Sequence, residues 1–174
     1  RYSGDHYSSE AFWAKVLHIL RHNETIKNDA FAAIEFCDWI PAVLTGCQNI
    51  KELRVGRCVT GAKLMWSEEW GGYPPQEFFM QLDPVMAKVS QNLSTVVRGC
   101  DKAAGHLSSV WAKELGLSEN VIIGTGNIDS HSGAVGAGVK DGTMVLNLGT
   151  SSCYMSVVPK EKMGDKVIDG IFSQ

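Results

Sequence analysis

A change of texture near residue 118 constrains this chain more than any other feature. Up to that point the pattern is helices and loops. Beyond it, Val121-Ile122-Ile123 reads as a short buried strand ending in Gly124-Thr125-Gly126, and Asp129 to Val139 is rich in small residues. Thr143 to Leu148 and Ser152 to Val158 read as two further strands, with Gly149-Thr150-Ser151 between them as a β-hairpin turn. These elements predict an α/β fold covering parts of two domains, residues 1–118 and 119–174, with a single sheet-containing domain as the alternative.

The first third reads as helical. Ser8 or Ser9 can cap a helix whose apolar face is Phe12, Val16, Ile19 and Leu20, flanked by Trp13 and Leu17. A second helical stretch runs from Ala30 to Leu44, where Pro41 is placed to begin a fresh helix and Gly46 to end it. Residues 67–75 form a loop punctuated by Gly71-Gly72 and Pro74-Pro75. Pro84 to Leu93 and Ser109 to Leu115 return to helix, the latter closed by Gly116.

Composition excludes several classes. With 44% hydrophobic and 20% charged residues the chain can build a packed core. A net charge of −3 gives no general attraction to nucleic acid or to an anionic membrane. No apolar run approaches the roughly 20 residues that span a bilayer, and the polar start, Arg1 to His6, has no signal-peptide core. The five cysteines are odd in number and widely spaced, with no C-x-x-C, which suggests a reducing cytoplasm rather than a disulfide framework or a zinc site. His18 and His22 have a metal-compatible spacing but no third ligand nearby in sequence, so a solvated helix face is the preferred reading and no metal ligand is assigned.

Two segments carry chemistry. The run from Gly124 to Gly138 misses the dinucleotide fingerprint, because Asp129 stands at its third glycine and a carboxylate there repels a pyrophosphate. A carboxylate beside glycines at a strand-to-helix turn suits a general base; an Asp capping the following helix is the equal alternative. The turn Gly149-Thr150-Ser151 offers backbone N–H groups and two hydroxyls to phosphate oxygens, without the lysine of a Walker A loop. A base followed 20 residues later by a phosphate-binding turn is the equipment of phosphoryl transfer.

Together these residues resemble the second half of the FGGY carbohydrate kinases, members of the actin-like ATPase superfamily with a ribonuclease-H-like fold. The likeness runs in order through Phe12-Trp13, Asp38-Trp39-Ile40-Pro41, Leu44-Thr45-Gly46, Gly61-Ala62-Lys63-Leu64-Met65-Trp66, Glu68-Glu69-Trp70-Gly71-Gly72 and Gly133-Ala134-Val135-Gly136-Ala137-Gly138. Within the family the motifs are most similar to those of kinases acting on L-ribulose. The resemblance implies Asp129 as catalytic base and sugar contact, Lys63 as a second sugar contact, and Gly149, Thr150 and Ser151 as the ATP-phosphate loop. It implies ATP and Mg2+ as cofactors and a ketopentose as substrate, in a cytoplasmic enzyme that forms a possible homodimer and uses no nucleic acid or membrane. Alternatives are a kinase for D-ribulose, xylulose or a polyol, and a non-catalytic sugar-sensing module. Ala62, Asn127-Ile128 and Ser130 depart from residues common in the family. The missing initiator Met and the polar ends read as a segment of a longer chain. The family's upstream metal and phosphate strand and its downstream adenosine motifs are expected beyond these residues. The 174 residues alone are therefore expected to bind ATP weakly or not at all, and calorimetry reporting micromolar binding contradicts this.

Overall fold

The structure is a computed structural model that describes residues 7–149 and 152–164. Three helices open the chain: α1 (Phe12–His22), α2 (Glu24–Asp29) and α3 (Phe36–Thr45). A three-residue strand β1 (Arg54–Gly56) runs straight into α4 (Arg57–Leu64). A 3-10 turn over Glu68–Trp70 leads to α5 (Gln76–Leu82), α6 (Met86–Ser90) and β2 (Val96–Arg98). Next come β3 (Ala103–His106), α7 (Ser109–Leu115), β4 (Ile122–Gly124) and α8 (Asp129–Gly136). The hairpin β5 (Met144–Leu148) and β6 (Ser152–Ser156) follows, then α9 (Lys160–Met163).

The strands form three two-stranded sheets. β1 pairs with β2 in parallel, Gly56 opposite Arg98; β3 pairs with β4 antiparallel across position 118; β5 and β6 close the hairpin with Leu148 opposite Ser152. The core lies among the helices. Phe12, Trp13 and Leu20 of α1 pack against Val59 and Leu64 of α4, Phe79 of α5, and Met86, Val89 and Leu93. The Trp13 ring sits 4.6 Å from that of Phe79, and its Nε1–H donates to the Leu64 carbonyl at 3.0 Å. One aromatic thus supplies apolar area and also fastens the C-terminus of α4. A smaller cluster, Ala42, Leu53 and Val55, joins α3 to β1.

Several sequence expectations need correction. The first 117 residues are not all helix and loop: β1, β2 and β3 lie there, at three or four residues each too short to show a period. Residues 30–35 are not helical, and α3 begins at Phe36, so Pro41 lies inside it rather than at its start. Ala11, not Ser8 or Ser9, is the N-cap of α1; Ser8 instead accepts from Glu10 N–H at 3.1 Å in the turn before it. Ile19 faces solvent, because only Phe12, Trp13, Val16, Leu17 and Leu20 of α1 lie on the side turned to the core. The helix expected over 84–93 is the shorter α6. The helix ends at Gly46 and Gly116 stand as expected, both glycines left-handed at φ 72° and 65°.

Phe79 is fully buried, so Phe79→Ala is expected to cost about 3–5 kcal/mol of folding stability, read as a lower urea midpoint at unchanged m value.

Candidate functional site

The site is assembled around a carboxylate that sequence reading passed over. Asp38, in the first turn of α3, is 2% exposed, and its Oδ1 accepts from Gly56 N–H at 2.9 Å where β1 becomes α4. Pro41 has no N–H, so the Cys37 carbonyl one turn earlier lacks its helical donor. Gly126 packs onto that carbonyl and onto the Asp38 carboxylate: a Cβ there would lie 2.4 Å from Cys37 O and 2.5 Å from Asp38 Oδ1. A Cβ on Gly56 would in turn lie 2.0 Å from the Gly126 carbonyl oxygen. Both glycines are required by close approach of backbone, and together they join α3, the β1–α4 corner and the loop ahead of Asp129.

Lys63 lies in the last turn of α4. The carbonyls of Lys63 and Leu64 accept from Tyr7 Oη and Trp13 Nε1, which fixes the helix end, and the chain leaves through left-handed Met65 at φ 62°. The Lys63 ammonium pairs with Glu35 at 3.4 Å, with the carboxylate side chain 18% exposed. Burial raises Asp38 to about 6; the Gly56 hydrogen bond opposes this, and Glu35 and Lys63 act on it with opposite signs. Glu35, Asp38 and Lys63 thus form one electrostatic cluster.

Asp129 is the first residue of α8, and Ile128 holds the N-cap position. Its Oδ1 accepts from Ser130 N–H at 2.7 Å, so the side chain satisfies one helix-end donor. The residue is exposed, and its Oδ2 has no partner among the described residues. His131 is half-buried; burial lowers its pKa, and the nearby Asp129 charge opposes that shift. Asn127 donates to Ser132 Oγ at 2.8 Å, while its own Oδ1 is buried without a partner.

The hairpin is fixed to the same helix. Asn147 of β5 donates to the Ser130 carbonyl at 3.0 Å, and a Cβ on Gly133 would lie 2.7 Å from Asn147 Oδ1. Gly149, exposed, follows β5 directly; Thr150 and Ser151 lie outside the described residues. Asp129 and Gly149 therefore belong to one helix-on-hairpin unit, whereas Lys63 pairs with Glu35. No cluster of three or more His, Cys, Asp or Glu able to hold a metal occurs among the described residues. His18 and His22 stack with centroids 4.3 Å apart, and His22 Nδ1 lies 2.7 Å from the His18 carbonyl.

The fold is shared with a sugar kinase. The crystal structure of a ligand-bound xylulose kinase from Lactobacillus acidophilus matches it with a TM-score of 0.65 at 17% identity, over 84% of this chain and 28% of that one. In sequence, all 174 residues align at 43% identity with a ribulokinase of Vibrio parahaemolyticus serotype O3:K6, covering 31% of that protein. A ribulokinase of Shouchella clausii is 35% identical over 180 residues, taking in 98% of the chain and 30% of the relative. The chain is a homologue of the ribulokinases, within the FGGY carbohydrate kinases, and it spans about a third of the length of these relatives. No family model matches it.

The raised pKa of Asp38 fixes a pH signature. Its native carboxyl holds a proton more tightly than the unfolded one. This contribution is therefore fully present below the ordinary value of 3.8 and is lost as pH rises to about 6. Asp38→Asn keeps an acceptor for Gly56 N–H and cannot ionise. Urea titrations from pH 3.5 to 7 are expected to show the wild type losing stability relative to this variant only within that window, by on the order of 3 kcal/mol. Parallel profiles would mean that Asp38 does not titrate there.

Proposed function

We propose that this chain is the sugar-facing and phosphate-facing middle of an ATP-dependent ketopentose kinase that converts L-ribulose and ATP to L-ribulose 5-phosphate and ADP. The observation carrying this reading is the position of Asp129: exposed, at the start of a helix, one oxygen held by Ser130 N–H and the other uncommitted among the described residues. A general base needs an oriented carboxylate that a hydroxyl can reach, and both conditions are met.

In this reading the free Oδ2 takes the proton of the attacking sugar hydroxyl as that oxygen bonds to the transferred phosphorus. The Ser130 hydrogen bond keeps the carboxylate from rotating away. Lys63, itself held by Glu35, donates to sugar hydroxyls from the α4 side. The Gly149 turn supplies backbone N–H groups to the nucleotide phosphates, with Thr150 and Ser151 completing the loop. ATP supplies the phosphoryl group when bound. Mg2+ is the accompanying ion in such kinases, and no described residue is assigned to it. In this reading the division at 118/119 borders the sugar-binding and nucleotide-binding parts, which the β3–β4 pairing joins. The nearby pairing of Asn147 with Ser130 supports the reading further, because it ties β5, which leads into Gly149, to the helix that begins at Asp129.

The test uses the complete kinase. Asp129→Asn is expected to lower turnover with L-ribulose by about 100- to 10,000-fold while L-ribulose binding, read by calorimetry, changes little. Retained turnover would remove Asp129 as the base. Loss of both binding and turnover would make it a sugar-positioning group instead.

A further inference from the structure

Two cysteines outside the proposed chemistry leave the same end of one sheet. β1 and β2 are parallel and end at paired residues, Gly56 opposite Arg98, on strands about 4.8 Å apart. Two residues beyond each end stands a cysteine. Cys58 lies in the first turn of α4; Cys100 lies in the turn closed by Lys102 N–H donating to the Gly99 carbonyl at 3.0 Å. Both thiols are free, Cys58 half-buried and Cys100 exposed. Burial raises the Cys58 thiol, and the Cys100 charge raises it further, so the two groups lie within electrostatic reach.

We propose that Cys58 and Cys100 form a reversible disulfide under glutathione-type oxidants, a redox crosslink between α4 and the β2–β3 turn. Exposed Cys100 reacts first: its thiolate attacks one sulfur of glutathione disulfide, forming a mixed disulfide and releasing one glutathione thiolate. The Cys58 thiolate then attacks the Cys100 sulfur and expels the second. The two protons from the protein thiols end on the two released glutathiones, and two electrons pass from protein to oxidant. The other half-buried thiol near the proposed site, Cys37, is raised to about 11 by burial and by Asp38 and Glu35, so it is the poorer nucleophile.

The crosslink would act on the site through backbone. Thr125 donates from Oγ1 to the Gly99 carbonyl at 3.1 Å and from N–H to the Lys102 carbonyl at 3.3 Å, four residues before Asp129. Cys58 shares α4 with Lys63. Oxidation therefore ties the helix of Lys63 to the turn that holds the loop of Asp129.

The test equilibrates the folded chain with glutathione disulfide, alkylates the remaining thiols and maps them by mass spectrometry. The expected result is loss of two of the five thiols, one Cys58–Cys100-linked peptide, and recovery of both thiols with reductant. Cys100→Ser and Cys58→Ala should each abolish that peptide. Amide exchange at Thr125 should slow on oxidation of the wild type but not of Cys58→Ala. The proposal is overturned if Cys100 stops at the glutathione adduct while Cys58 stays alkylatable, or if the linked peptide joins another pair. Unchanged exchange at Thr125 overturns its tie to the Asp129 loop.

Discussion

The arrangement of the site depends on a close approach of three backbones at Asp38. A buried carboxylate and a carbonyl freed by Pro41 present two acceptors on one face of α3, and two residues without side chains, Gly56 and Gly126, come against them. That approach gives α4 and the loop to α8 a common anchor, beside the packing of Ile128 on the core that holds Val59 and Leu64 of α4. The cost is desolvation of a carboxylate, which one amide hydrogen bond offsets only in part, as the raised pKa of Asp38 records. A site of this kind gives up stability near neutral pH in return for fixed geometry.

The neighbouring charges follow from the same constraint. Glu35 and Asp38 are on successive turns of chain and would repel, yet the Lys63 ammonium lies against Glu35 and also favours the charged form of Asp38. Lys63 is consequently neither a freely solvated surface lysine nor a fully neutralised one. Its side chain remains 41% exposed, so the ammonium keeps donor capacity for a ligand while its position is restrained. Removing Glu35 would free the ammonium but unfix it. Reach and orientation are in opposition at this residue.

How much of this was legible in the sequence depends on the range of each signal. Gly46 and Gly116 were readable as helix ends because a left-handed C-terminal residue is a local requirement, and the hairpin was readable because its two strands alternate with a glycine between them. The strands β1 to β3 were not, since three or four residues carry no period and their pairing partners lie some forty residues away or across a helix. Asp38 was visible only as a neighbour of Pro41. A signal did exist: Asp38 stands three and four residues before Pro41 and Ala42, on one side of the helix, and a carboxylate on a buried side needs a donor. The donor, Gly56 N–H, is 18 residues on, so sequence could announce a partner without naming it.

The two units of the site also differ in how fully they are enclosed. The α1, α4 and α5 side has fully buried residues such as Val59 and Phe79, whereas β5 and β6 carry Leu148 at 77% and Tyr154 at 70% exposure. A two-stranded hairpin buries too little to be stable alone, and here α8 is its neighbour among the described residues, joined through Asn147 and the space opened by Gly133. The lysine and its helix are anchored by a complete core, while the carboxylate stands on an element whose outer face is apolar and open.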